Sequence, residues 1–126
     1  MTPTSDDFRL AQIGQIAQPV KDLDRAVTFY RDILGMKFLF RVPNLAFFDC
    51  AGVRLMLDVP AEPHSSTLYF KVDDLERAYE TLVSRGVAFE AKPHLIAKMP
   101  DHELWMAFFR DPDRNLLALM CEVPQA

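Results

Sequence analysis

Two stretches of the chain share one grammar: "PVKDLDRAVTFYRDILG" (19–35) and "KVDDLERAYETLVSRG" (71–86). Each reads as the end of a strand, an acidic turn, an amphipathic helix and a glycine stop. In the first, Asp22 is the expected N-cap. Leu23, Ala26, Val27, Tyr30, Ile33 and Leu34 recur at three and four residues, so one apolar helix face should run up to Gly35. In the second, Asp73-Asp74 leads into a helix with Leu75, Ala78, Leu82 and Val83 apolar, and Gly86 is the stop. A chain of 126 residues that writes the same strand and helix twice is constrained to an architecture of two like units.

Strand-like runs complete each unit. "IGQIAQPV" (13–20) precedes the first helix. "MKFLFRV", "LAFFDCA" and "VRLMLDV" follow it, parted by Pro43-Asn44 and Ala51-Gly52. The second unit opens on "TLYFKV" (67–72). After its helix come a stretch from "VAFEA" through "HLIAK", then "ELWMAFFR" and "NLLALMC", the last two joined by the turn "DPDRN" (111–115). The expected fold class is α+β: two βαβββ modules in a single domain. After a polar arm to about Asp7, module one covers about 10–60, a proline-rich linker 61–66, and module two about 67–123. One helix covers only one side of a sheet, so the modules are expected to pair their remaining sides and form a cleft.

Half the residues are apolar and a quarter charged, the composition of a soluble globular domain. A net charge of −4 without a run of like charges gives no footprint for a nucleic acid backbone. No apolar run reaches the roughly 18 to 20 residues of a membrane span, and "MTPTSDDFRL" has no secretory pattern, so a cytoplasmic location is expected. Cys50 and Cys121 lie in apolar strand-like stretches and read as buried free thiols; a pair of cysteines suggests neither a disulfide framework nor a zinc site.

With "PVKDLDRAVTFYRDILGMKF", the second "KVDDLERA" and the late "FRDPDRNLLAL", nearly the whole chain resembles the vicinal oxygen chelate superfamily of glyoxalase I, bleomycin-resistance proteins, extradiol dioxygenases and methylmalonyl-CoA epimerase. The resemblance implies the paired-module fold and a homodimer. It is less informative about the reaction, because this fold hosts several chemistries and pure binders. In metal-dependent members, four positions on the sheets hold a divalent ion. Carried over by motif they are Gln15, Met56, Thr67 and Ala118, and only the glutamine keeps a usual ligand type. A hard cation needs oxygen or nitrogen donors, commonly with carboxylate, so no metal cofactor is expected.

Alternation supports the mapping independently. Leu68, Phe70 and Val72 form one apolar side, which turns Thr67, Tyr69 and Lys71 the other way. Likewise Val53, Leu55, Leu57 and Val59 should face the helix and Arg54, Met56 and Asp58 the cleft, while Leu116, Ala118 and Met120 face it if Leu117 and Leu119 pack on the helix. Arg54 and Asp58 then either grip an anionic or polar ligand end or form a cross-strand ion pair at the sheet rim. Phe47, Tyr69, Trp105 and Phe108 are candidate aromatic lining, or core.

"HELWM" (102–106) resembles the HExxH zinc motif, but position 106 is Met and the second ligand is missing. Asp101, His102 and Glu103 read as solvated turn residues. His94 is the candidate acid or base, or else a core histidine bonded to backbone, and His64 in the linker has no assigned chemistry. Two function classes follow. The first is a metal-independent binder of a small molecule at Gln15, Arg54, Met56, Thr67, Tyr69, His94, Trp105 and Ala118, with neither nucleic acid nor membrane as partner. The second is a glyoxalase-like lyase, isomerase or dioxygenase whose divalent metal sits on a rearranged set, Gln15, His94, His102 and Glu103.

Overall fold

The computed structural model describes residues 8–124, so the polar arm expected up to Asp7 lies outside the described residues. The chain forms two compact units, 13–68 and 8–12 with 69–124. The first contains β1 (Ile13–Pro19), α1 (Leu23–Thr28), β2 (Lys37–Val42), β3 (Leu45–Cys50) and β4 (Val53–Asp58), with strands ordered β2-β3-β4-β1. β1 runs parallel to β4, and the β2-β3 and β3-β4 pairs are antiparallel hairpins. Asn44 and Gly52, both at positive φ, make the two tight turns where the breakers stood in the sequence.

The Asp22 carboxylate caps α1 by accepting from the Arg25 amide at 3.2 Å, as its position foretold. The helix does not continue unchanged to Gly35. After Thr28 it widens into a π-helical turn, Phe29–Ile33, and the Leu34 amide donates to the Phe29 carbonyl at 3.0 Å. One extra residue in a turn rotates everything after it by about 100°. Tyr30 still leans on Phe48, with ring centroids 5.9 Å apart, but Ile33 and Leu34 leave the apolar stripe and stand 70% and 52% exposed. Leu23 and Val27 close over Ala46, Phe48 and Leu57, which have no accessible surface. An Arg41–Asp24 ion pair of 2.8 Å ties β2 to the helix.

The second unit contains α2 (Leu75–Ser84), β6 (His94–Lys98), β7 (His102–Arg110), β8 (Leu116–Pro124) and β5 (Thr67–Lys71), whose first two residues are grouped with the first unit. The order is β5-β8-β7-β6. Residues 10–12, expected in module one, belong here: the Lys71 amide donates to the Gln12 carbonyl at 2.8 Å, and Phe8 and Leu10 pack on the α2 cluster. Asp74 caps α2 as Asp22 caps α1. Leu75, Ala78 and Leu82 are buried against Ala107, Phe109, Leu119 and Cys121. Val83, expected on the same side, is 46% exposed, because one step along a helix is about 100° away from a narrow stripe.

The stretch beginning "VAFEA" does not form a strand before His94. Phe89 makes a single bridge to Phe109, its ring held between Tyr79 at 4.6 Å and Phe109 at 5.0 Å. Pro93 then withholds an amide from any ladder, so β6 starts one residue later. The "DPDRN" turn closes on Asp111, whose carboxylate accepts from the Asp113 and Asn115 amides and from the Asn115 side chain, each at 2.9 Å. Those bonds, chiefly from Asn115, hold the Asp111 carboxyl below its ordinary range.

Phe48 is the side chain on which α1, β2 and the π-helical turn all rest. Phe48→Ala is expected to lower stability by about 3–5 kcal/mol, read as a shift in the urea midpoint, whereas Ile33→Ala on the exposed turn should change it by less than about 0.5 kcal/mol.

Candidate functional site

In each unit the helix takes one side of the sheet, and the registers define what lies on the far side. In the first unit, Lys37, Asp49, Arg54 and Gln15 form one row across β2, β3, β4 and β1. The next row is Phe40, Phe47, Met56 and Ala17, and the third is Val42, Leu45, Asp58 and Pro19. Directly opposed residues share a side, so a polar row borders an apolar shelf. Phe40 stacks on Phe47 at 4.6 Å, and the Arg54 guanidinium sits over the Phe47 ring at 5.7 Å.

Three polar side chains of this unit lack conventional partners among the described residues. Gln15 is 4% exposed and Thr67 3%, and neither side chain makes a hydrogen bond. Arg54 is half-buried, and among the described residues its one partner is the Phe47 ring. The Asp49 carboxylate, opposite Arg54 in register, instead accepts from the Gly52 amide at 3.2 Å. Of the two readings of Arg54 and Asp58, the rim ion pair is not formed.

Asp58 pairs with His64, which the sequence left without a role. His64 Nε2 lies 3.1 Å from Asp58 Oδ2 and Nδ1 lies 2.6 Å from the Ser65 carbonyl. Both ring nitrogens face acceptors, an arrangement only the imidazolium satisfies fully. The Ser65 carbonyl is the main cause that raises the His64 pKa above its usual 6.5; desolvation opposes it, and the Asp58 carboxylate adds to the rise. Asp58 Oδ1 is buried without a partner. Prolines 19, 60 and 63 with Val20, Val59 and His64 wall a recess of about 450 Å³ at this end of the unit.

In the second unit the far side carries His94, Met106 and Met120 in one row and Phe108 with Ala118 in the next. Tyr69 meets the Phe108 ring edge-on at 6.1 Å, and the His94 ring lies 6.3 Å from Phe108. His94 is exposed, with Nδ1 3.2 Å from the Lys92 carbonyl, so it is backbone-bonded but not a core residue. Trp105 does not join this group. It is in register with Cys121 on the helix side, packs against the α2 cluster and donates to Glu103 Oε1 at 3.1 Å. The polar substituents around it made it look like lining, but the strand's alternation decides otherwise.

Neighbours His102 and Glu103 point to opposite sides of β7, which separates half of the rearranged metal set. His102 is not a solvated turn residue: its side chain is 22% exposed, with Nδ1 2.7 Å from Asp101 Oδ1 and Nε2 3.9 Å from Glu122. The four positions implied by the family do not fit a divalent ion either. They supply an amide, a thioether, a hydroxyl and the methyl of a fully buried alanine, with no carboxylate or imidazole. Among the described residues no three of His, Cys, Asp and Glu are grouped to hold a metal. Of the cysteines, Cys121 is buried, and burial raises its thiol pKa. Cys50, expected to be buried, is exposed, since it is the last residue of β3 beside the Ala51-Gly52 turn.

Residues 12–119 match the model of the Glyoxalase/Bleomycin resistance protein/Dioxygenase superfamily, and the chain belongs to that family. The uncharacterized protein YraH of Bacillus subtilis is 32% identical over 83% of this chain and 94% of its own. Metallothiol transferase FosB of Lysinibacillus sphaericus is 27% identical over 60% of each chain. A superfamily member from Vibrio splendidus has the same fold at a TM-score of 0.69 and 16% identity, covering 86% of this chain and 96% of that one. Among the described residues no helix is long and apolar enough to cross a membrane.

The His64–Asp58 pair carries a pH signature. A pKa raised on folding gives stability that is fully present below about pH 6.5 and lost as pH rises through the folded-state value. The wild type should therefore exceed His64→Gln in melting temperature by more at pH 5.5 than at pH 8.5. An equal margin at both values would show that the pair does not couple protonation to folding.

Proposed function

We propose that this chain is a metal-independent small-molecule-binding member of its superfamily, and that its ligand rests on the far side of the first unit's sheet. One observation carries the reading: Gln15 and Thr67 are nearly fully buried polar side chains with no hydrogen-bond partner among the described residues. Among the described residues the buried side-chain atom without a partner is Asp58 Oδ1, so the polar atoms of Gln15 and Thr67 keep a little accessible surface and are open to a ligand's donor or acceptor. A ligand lying over the Phe40–Phe47–Met56 row would bring a donor or acceptor to the Gln15 amide in the adjoining row, and the apolar side chains supply contact. The chemistry of the four family positions favours binding without metal. On this reading the protein's work is recognition, and the fold's metal-dependent reactions are not transferred to it.

The reading predicts an inversion of the usual effect of a core substitution. Gln15→Met, similar in volume and without polar atoms, should raise stability by about 1 kcal/mol in urea unfolding, because nothing in the protein depends on the amide. Zinc, nickel, manganese and iron should leave the melting temperature where it is. A stability loss in Gln15→Met would mean that the amide serves the fold. A metal-induced rise that disappears in the same variant would mean that it serves a metal.

A further inference from the structure

We infer that the ligand of this site is a small apolar carboxylate, with Arg54 as the residue that selects its charge. The inference rests on the binding reading above and narrows it to a chemical class. The row Lys37, Asp49, Arg54 and Gln15 holds two cations and one carboxylate, a net charge of +1 in a protein whose total is −4. The carboxylate is engaged locally, since Asp49 Oδ1 accepts from the Gly52 amide.

Arg54 is the unusual member. The residue is half-buried, and among the described residues no carboxylate pairs with it. Its guanidinium lies instead over the Phe47 ring, itself backed by Phe40. An aromatic face holds the guanidinium by its quadrupole and consumes none of its five N–H groups. The planar fork is thereby positioned and left with its donors unspent, the state in which Arg recognises a carboxylate through two parallel bonds. Gln15, in register beside it across β1 and β4, adds an amide N–H for the same oxygen atoms.

The neighbouring row decides what the rest of the ligand is made of. Phe40, Phe47, Met56 and Ala17 offer no hydrogen-bonding side chain apart from a weak thioether acceptor. Two residues along a strand advance about 6.8 Å, the length of a benzene ring bearing a carboxylate. The seat therefore fits an aromatic or branched aliphatic acid with its anionic end at Arg54 and its body over Met56 and the exposed Phe40.

The test is protein-observed NMR titration of the full chain with benzoate and with its neutral isostere benzamide, repeated in Arg54→Lys and Arg54→Met. Benzoate should shift the side-chain resonances of Gln15 and Arg54 and bind at least about 10-fold more tightly than benzamide, the least expected of a charge-assisted pair. Arg54→Met should erase that preference, and Arg54→Lys should retain part of it while keeping the wild-type melting temperature. Equal binding of the two probes at these residues, or a preference that survives Arg54→Met, overturns the inference and leaves the binding reading standing. Probes that bind elsewhere, or not at all, overturn both.

Discussion

A pleated strand sends consecutive side chains to opposite sides of its sheet, and each unit of this chain has one helix to cover four strands. Everything else about the molecule depends on that arithmetic. In β4, Leu55 and Leu57 are drawn under α1, so Arg54, Met56 and Asp58 must go the other way. In β8, Leu117, Leu119 and Cys121 are drawn under α2, so Ala118 and Met120 must go the other way. The helix sides are then filled with interchangeable aliphatic and aromatic groups, and the far sides become the place where sequence is free to specify chemistry. In this chain the far side of the first unit carries an amide, a guanidinium and an aromatic shelf.

Most of this was legible because it follows from period. The strand runs, the two aspartate caps and the glycine stops each rest on a local rule, and alternation in "VRLMLDV" and "TLYFKV" assigns sides without reference to the rest of the chain. The π-helical turn was not legible. Nothing in "TFYRDI" distinguishes a wide turn from an ordinary one, and the spacing rule that placed Ile33 and Leu34 inside assumes a constant number of residues per turn. Phe89 failed the strand rule for a related reason: its ring is taken by Tyr79 and Phe109, and tertiary packing overrides a local β preference.

The candidate site was half legible. Gln15, Arg54, Met56 and Thr67 were named by motif and alternation, but that Arg54 has a ring for a partner, and that Asp58 turns to His64, depends on distances no pattern encodes. Trp105 shows the opposite error. Its polar neighbours drew attention to it, while its odd position in β7, shared with Ala107 and Phe109, already put it on the helix side. Alternation along β7 by itself excludes it from the far side. His64 had no such signal, since a histidine in a proline-rich connector acquires its partner only when the chain folds back onto β4.

The outermost strands of the two units, β2 and β6, share a defect in regularity. The register of β2 against β3 slips at Leu39, and that of β6 against β7 slips at Ile96. Each slip is one unopposed residue in the middle of a strand that carries exposed apolar groups, Phe40 and Val42 in one and Leu95 and Ile96 in the other. A flat, regular edge of that composition would template the addition of further strands from other molecules. A bulge bends the edge and breaks the even spacing of its free amides and carbonyls, so neither margin offers an incoming chain an unbroken ladder. The same irregularity that complicates the hairpins thus works against fibril growth in a protein with adhesive margins.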